Sequence, residues 1–307
     1  MSSGDNKIKG LVSVIIPTYN RPDFLKQAVD SVLRQSYGLF EILVIDDCSP
    51  YSTKQFLAEN FNDSRIQVYI NEKNSCPSHS MNRGIDNSKG EFIAFLDDDD
   101  YWLNNHLAFC VQELQKNNSA RLCYSGVSRF WHESKEVVRE VIPDKQKNTI
   151  ALLEENFITN SSVVLKSEFV GKLRFNEEEK LLFNKDWIFW VEYLSFHPLC
   201  STNTITVKYG LHTKGNMMGQ NLDTLDKHRL IALKDLEIYF KGNKTYKKYR
   251  HKIVEGAYLT MIRAALNQKS KLRALRYFKK IISESPRVFF NRMFYYSVLR
   301  MIKTLFV

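Results

Sequence analysis

The chain lacks the glycine signatures by which many folds hold phosphate. Twelve glycines are spread over 307 residues; no Gly-x-Gly-x-x-Gly follows the first apolar run and no Gly-Lys-Ser/Thr loop opens a helix. A dinucleotide-binding turn and a P-loop are therefore both excluded. Cysteine is sparse: Cys48, Cys76, Cys110, Cys123 and Cys200 are odd in number and form no Cys-x-x-Cys pair. That fits buried thiols in a reducing cytosol better than a disulfide framework or a zinc site. No stretch reaches the ~18 uninterrupted apolar residues of a membrane span. The opening MSSGDNKIKG also lacks the apolar core of a signal peptide. Acid is what the end of the chain lacks. From Lys241 onward, 17 Lys/Arg face only Glu255 and Glu284, so the last 67 residues carry a formal +15 and the first 240 about −5. The net charge of +10 belongs to the tail.

What is present alternates. LVSVIIPTYN opens with a continuous apolar run, as a strand buried on both faces of a parallel sheet requires. Pro22 then starts a helix on which Phe24, Leu25, Ala28, Val29, Val32 and Leu33 recur at helical spacing. FEILVIDDCSP reads as a second buried strand, residues 53–60 as a helix, RIQVYI as a third strand, SMNRGIDNS as a short helix and EFIAFL as a fourth strand. The first ~115 residues thus predict a doubly wound α/β half. In such sheets ligands bind beyond the carboxyl ends of the strands. The rule selects Thr18 and Tyr19 after the first strand, Asp46 and Asp47 after the second, and Asp97 to Asp100 after the fourth.

The last group is the most demanding. Four adjacent carboxylates repel and raise one another's pKa. A solvated turn is the plain explanation, but three strand ends delivering polar groups to one edge point to a divalent cation. An EF-hand is excluded, because the sixth position from Asp97 is Trp102 where glycine is required. What remains is a nucleotide whose phosphates are held through a metal on carboxylates.

In this order and spacing, VSVIIPTYNR, EILVIDDCSP, SMNRGI and GEFIAFLDDDDYW resemble the family 2 inverting glycosyltransferases of GT-A fold, over about residues 11–220. The resemblance implies an α/β, Rossmann-like GT-A catalytic domain over 1–221, followed by a basic amphipathic helical region over 222–307. It implies a UDP-sugar donor used with Mn2+ or Mg2+. Carried over by position, it makes Pro17, Thr18 and Tyr19 the floor beneath uracil. Asp47 is the acceptor from uracil N3–H, with Asp46 supporting the loop. Asp97 faces ribose and metal, Asp99 ligates the metal, and Asp98 fills the middle position. Asp100 is left to cap the next helix near Leu103 or to brace the loop.

Inversion also asks for a base that takes the acceptor proton. Asp186 in FNKDWIFWVEYL matches the family's acidic position, although Lys185 precedes it where Glu is common; a helix cap is the alternative for the same residue. Glu177 to Glu179 read as a solvated run. In LHTKGNMMGQN, His212 is expected on metal or phosphate and Lys214 on charge, a structural histidine being the alternative. Asn82, following the CPSH segment, belongs to a region that borders base and ribose in the family. Trp102, Trp187 and Trp190 either stack on sugars or pack in the core.

Beyond Leu222 the pattern turns helical. Lys269, Arg273, Arg276 and Lys280 share one face, with Leu275, Phe278, Ile281 and Ile282 opposite. After Pro286, Arg292, Arg300 and Lys303 share an arc and aromatics fill the rest. Such a helix suits an anionic bilayer surface, or else packs on the catalytic domain. No motif supports a nucleic-acid partner. The expectation is an enzyme at the inner face of the cell membrane, extending a lipid-diphosphate-linked saccharide (undecaprenyl type) for O-antigen or capsule. Glucose is the expected sugar, with UDP-Gal, UDP-GlcNAc and UDP-GalNAc as other donors. A non-catalytic nucleotide-sugar or membrane-surface binding module is the reading from another class.

Overall fold

Apolar continuity decides the centre of the sheet. Val12, Val14, Ile15 and Ile16 on β1 (Ile8–Thr18) and the whole of β2 (Phe40–Asp46) are buried, as parallel strands covered on both faces must be. A computed structural model describes residues 7–178, 184–212 and 221–305. Between these strands lies α1 (Pro22–Leu33), with proline in its first turn and Leu25, Ala28, Val29 and Val32 inward. Then follow α2 (Thr53–Asn60), β3 (Ile66–Ile70), α3 (Pro77–Asn87) and β4 (Gly90–Phe95). The remaining elements are β5 (Tyr101–Trp102), α4 (His106–Lys116), β6 (Leu122–Trp131), β7 (Val137–Val141), α5 (Thr149–Glu154), β8 (Val163–Lys166), α6 (Lys185–Leu194) and β9 (Leu199–Leu211). Four helices close the described chain: α7 (Leu222–Tyr239), α8 (Lys244–Asn267), α9 (Lys271–Glu284) and α10 (Arg292–Leu305).

Among the described residues the strands form one sheet in the order β3-β2-β1-β4-β8-β6-β9-β5, with β7 beside β6. The first four run parallel, and β8 then enters antiparallel to β4. Because β2 and β3 lie on one side of β1 and β4 on the other, the order reverses between β1 and β4. That is the switch point at which open α/β sheets bind ligands. Thr18 pairs with Asp46, and Ile15 with Phe95, so Thr18, Asp46 and the acids after β4 share one edge.

The chain divides into two compact units. The first comprises the described residues of 1–146, 158–179 and 193–216; the second those of 147–157, 180–192 and 217–307. The grouping differs from a single cut after residue 221 in that α5 and most of α6 fall with the C-terminal helices. Packing within the second unit gives the reason. Trp187 of α6 is fully buried, its Nε1 donates to the Leu152 carbonyl at 2.6 Å, and the Arg229 guanidinium lies 4.4 Å over its ring. Gly256 on α8 lets that helix close on α5, since a Cβ there would overlap the Glu154 backbone.

The tryptophans are core residues and not sugar platforms. Trp187 and Trp190 are 0% exposed, while Trp102 is buried, stacks on His106 at 4.3 Å and donates to the Ser161 carbonyl. The thiols are corrected in part: Cys110 and Cys123 are buried, Cys76 and Cys200 half-buried and Cys48 exposed. On α9 the inward face is Ala274, Tyr277, Phe278 and Ile281, leaving Leu275 and Ile282 exposed. The apolar stripe is thus turned from the one expected. No helix among the described residues is long and apolar enough to cross a membrane.

Glu192 on α6 has its carboxyl pushed up to about 7, first by burial and then by the neighbouring Asp235 charge. A raised carboxyl contributes stability below its unfolded pKa near 4.5 and loses it as pH rises through the folded value. Glu192→Gln should therefore stabilise the protein at pH ~8 by about 1–2 kcal/mol, with the gain shrinking toward acid. Urea melts across pH measure this; a gain independent of pH would refute it.

Candidate active site

The four carboxylates after β4 fan out, and each has its own partner. Asp97 accepts from Asn160 Nδ2 at 2.9 Å. Asp98, buried, accepts from Thr18 Oγ1 at 2.8 Å and Arg21 Nη1 at 3.2 Å. Asp100, also buried, accepts from Ser161 Oγ at 2.5 Å and the Gly210 N–H at 2.8 Å. Asp99 faces the mouth: its Oδ2 lies 3.1 Å from Arg21 Nη1 and 3.0 Å from His212 Nε2. Alternate residues thus turn inward as struts, and crowding is relieved by direction as well as by countercharge.

Electrostatics follow this division. Burial, then the Asp99 charge, pushes Asp98 up to about 6 against the pull of Arg21. Burial, then Asp97 and Asp99, holds Asp100 well above the usual carboxylate range. Asp100 braces the loop onto β9 and does not cap the next helix, whose N-cap is Asn105.

Asp99 and His212 are brought together, whereas Asp97 turns toward Asn160. Among the described residues no three His, Cys, Asp or Glu groups converge as a metal cage. The donor set nevertheless fits a hard divalent cation. Mg2+ takes one or two carboxylates with phosphate oxygens completing its shell, and histidine, a common metal ligand, stands beside Asp99 as His212. Lys214 and Glu179 lie outside the described residues.

The base-side expectations resolve individually. Asp46 is a loop brace, accepting from Ser49 N–H, Ser49 Oγ and Thr53 Oγ1. Asp47 accepts from Asn71 Nδ2 at 2.7 Å and from the Ser75 N–H at 3.1 Å to each oxygen. A carboxylate offers about four acceptor directions, so one remains. Thr18 is buried, Pro17 half-buried and Tyr19 46% exposed at the end of β1. Asn82 ties α3 to the segment after β8: its Nδ2 donates to Phe175 O and Glu177 Oε1, and its Oδ1 accepts the Phe175 N–H. Glu177, exposed as a solvated run requires, also faces His79 Nδ1 at 3.0 Å.

Sequence reading assigned no role to two residues here. Arg21 stands between β1 and α1, where its side chain returns across the acids. His132 stacks on His212 with centroids 4.6 Å apart, and its Nε2 meets the Asp99 carbonyl at 2.7 Å. Gly210 makes room for it, because a Cβ there would overlap the His132 ring. The signal lay in parallel pairing of β6 with β9, which sets Trp131 beside Leu211, and no periodicity announces such a partner.

Asp186 belongs to the second unit. The helix turn begins at Asn184, whose carbonyl accepts from Ile188 N–H. Asp186 accepts from Asn156 Nδ2 at 2.8 Å. Burial raises its carboxyl, opposed by the N–H of Trp187, Asn156, its own N–H and the Arg229 charge. Arg229 is itself lowered to about 10 by burial.

A strand-end acid run, an acid pair after β2 and a basic residue after β1 are thus gathered at one switch point. Residues 13–173, just over half the chain, match the profile described as Glycosyl transferase family 2. The chain belongs to that family. The transferase is 31% identical over 203 residues to the UDP-Glc:alpha-D-GlcNAc-diphosphoundecaprenol beta-1,3-glucosyltransferase WfgD of Escherichia coli, covering 66% of this chain and 77% of WfgD. It is 26% identical over 245 residues to an uncharacterized glycosyltransferase, MJ1057, of Methanocaldococcus jannaschii, covering 78% of this chain and 82% of that one.

Among solved structures, the transferase is similar to S. aureus TarS 1–349 in complex with UDP-GlcNAc, with TM-score 0.56 at 16% identity over 95% of this chain and 88% of that chain. It is also similar to the mannosyltransferase PcManGT of Pyrobaculum calidifontis in complex with GDP-Man and Mn2+, with TM-score 0.57 at 17% identity over 96% and 86%. At such identities the likeness is one of architecture. The fold is GT-A, followed by C-terminal helices.

Proposed function

We propose that this transferase moves a hexose, with inversion, from a UDP-sugar to a hydroxyl of a lipid-diphosphate-linked saccharide at the inner face of a bacterial membrane, in O-antigen or capsule synthesis. Glucose is the preferred sugar, by analogy with the activity in WfgD's name. The observation that carries the reading is the meeting of Asp99 with His212 at 3.0 Å, beside Arg21, at the switch point of the sheet. Asp99 and His212 would hold Mn2+ or Mg2+, with Asp97 toward ribose and metal as the family resemblance implies. A bound cation would supply Lewis-acid stabilisation of the charge on the leaving diphosphate.

The chain's own residues do the rest. Pro17, Thr18 and Tyr19 receive the base, and Asp47 uses its remaining lone pair on uracil N3–H. Arg21 exchanges one carboxylate contact for a phosphate oxygen, a charge-assisted bond of the kind that fixes diphosphates. Asp186 takes the proton of the acceptor hydroxyl. Burial that raises its carboxyl also makes it a better base near neutral pH.

Incubation with a panel of UDP-sugars and a short lipid-diphosphate saccharide, read by UDP release and product mass, tests the proposal. UDP release with product bearing one added hexose is expected, and silence across the panel would favour a binding module. Arg21→Ala should raise the donor KM roughly tenfold or more, the worth of one hydrogen bond to a charged group, with a smaller effect on kcat. An unchanged donor KM would remove Arg21 from the phosphate site.

A further inference from the structure

The second unit holds a cavity of about 400 Å3, and none of its lining residues has a role in the proposed sugar transfer. Its walls come from α8, from the turn over Pro286–Phe290 and from the first turn of α10, with Glu154 of α5 at one side. Glu255 forms the floor. It is buried, and its two oxygens accept from Ser285 Oγ at 2.7 Å and Asn291 Nδ2 at 2.9 Å, which fixes the α9–α10 connection. Lys252 is paired with Glu154. Arg287 and Arg292 stand exposed at the mouth beside His251, and neither arginine makes an ion pair among the described residues.

Two unpaired guanidiniums at a cavity mouth call for an anion with several oxygens. The rim specifies what else the occupant carries. Phe290 lines the cavity and is 91% exposed. On α10, Phe294 is buried against α8 and α9, yet Tyr295, Tyr296 and Leu299 on its other side stay more than half exposed. A helix that leaves large apolar side chains uncovered beside its basic arc is short of a partner. The charged side chains of the lining are net positive: Lys252, Arg287 and Arg292 stand against Glu154, which Lys252 pairs, and Glu255, which the Ser285 and Asn291 side chains hold at the floor. An anionic head joined to an apolar body, in a surface rich in such heads, describes a bilayer.

We propose that this cavity is a headgroup site for an anionic phospholipid, with Arg287 and Arg292 on the phosphate and Phe290 with the α10 aromatics in the interfacial layer. The inference rests on the membrane reading given under the proposed function and names its point of contact.

Partition onto vesicles of phosphatidylcholine, with and without phosphatidylglycerol, tests it using the full chain. Wild type should prefer the anionic vesicles. The double variant R287Q/R292Q should lower that partition roughly thirtyfold, from about 1 kcal/mol for each basic residue at the surface. F290S should lower it about tenfold through lost apolar burial. K247Q/K248Q, which removes the same charge from α8 instead, should lose clearly less. UDP release with a short water-soluble acceptor should be unchanged in all variants, showing that they fold.

Equal losses in the two double variants would overturn the site in favour of diffuse attraction. Displacement by glycerol phosphate at concentrations comparable to lipid would overturn it in favour of a soluble anion. If wild type binds no vesicle, the membrane reading itself fails. If wild type binds and R287Q/R292Q binds equally, only the cavity's role falls.

Discussion

Asp186→Asn should leave UDP-sugar affinity nearly intact and lower kcat by a factor on the order of 10² or more, since general-base catalysis contributes about 10²–10⁴. The substitution is close to isosteric. Asparagine Oδ1 still accepts from Asn156 Nδ2 or from the first-turn N–H groups that Asp186 now satisfies, so packing around Trp187 survives while basicity is removed. The pH profile gives an independent check. A base acts when deprotonated, and burial raises this carboxyl. The acid limb of kcat/KM should therefore lie above the ordinary carboxylate range in wild type and vanish in the variant. A variant that loses donor binding but keeps its kcat would return Asp186 to the architecture of the second unit.

Asp99→Ala should abolish measurable turnover, on the order of a 10³-fold loss or greater, because a Lewis acid at a leaving diphosphate is worth several kcal/mol. Excess EDTA should silence wild type, and added Mn2+ or Mg2+ should restore it. The geometry makes the effect specific to this acid. Asp98 and Asp100 hold Thr18, Ser161 and Gly210, so their loss would act through folding, whereas Asp99 has its partners at the mouth. Differential scanning should show that Mn2+ adds to the stabilisation by UDP in wild type and adds nothing in Asp99→Ala, from an unchanged ligand-free melting temperature. Full wild-type activity in EDTA would sink the metal assignment.

The parallel half of the fold was legible because its determinants are local. Short continuous apolar runs rich in Val and Ile and bounded by turn residues fit doubly covered strands, Pro22 can open a helix but not continue one, and strand ends fix an edge. Asp46, Asp47 and Asp97 to Asp100 were found by that rule alone. What stayed hidden depends on non-local pairing. His132 meets His212 only because β6 and β9 run parallel. The role of Arg21 depends on a side chain crossing from the end of β1 to the acids. The grouping of α5 and α6 with the C-terminal helices rests on Trp187, Arg229 and Gly256, residues with no shared sequence pattern. Trp102, Trp187 and Trp190 show the same limit: a large amphipathic ring suits a sugar platform and a core equally, and only burial decides.

The two-sided α10 also governs how the protein behaves in a tube. In buffer without a bilayer, Phe290, Tyr296 and Leu299 have only further copies of themselves to cover them. What keeps those copies apart is the like charge of the tail, which acts over a Debye length of about 10 Å at 0.1 M salt and about 3 Å at 1 M. Concentrated salt, the usual remedy for a basic protein that sticks, should here remove the repulsion and leave the aromatics unopposed. Colloidal stability should fall as ionic strength rises, and a mild non-ionic detergent should restore a monodisperse sample where salt does not.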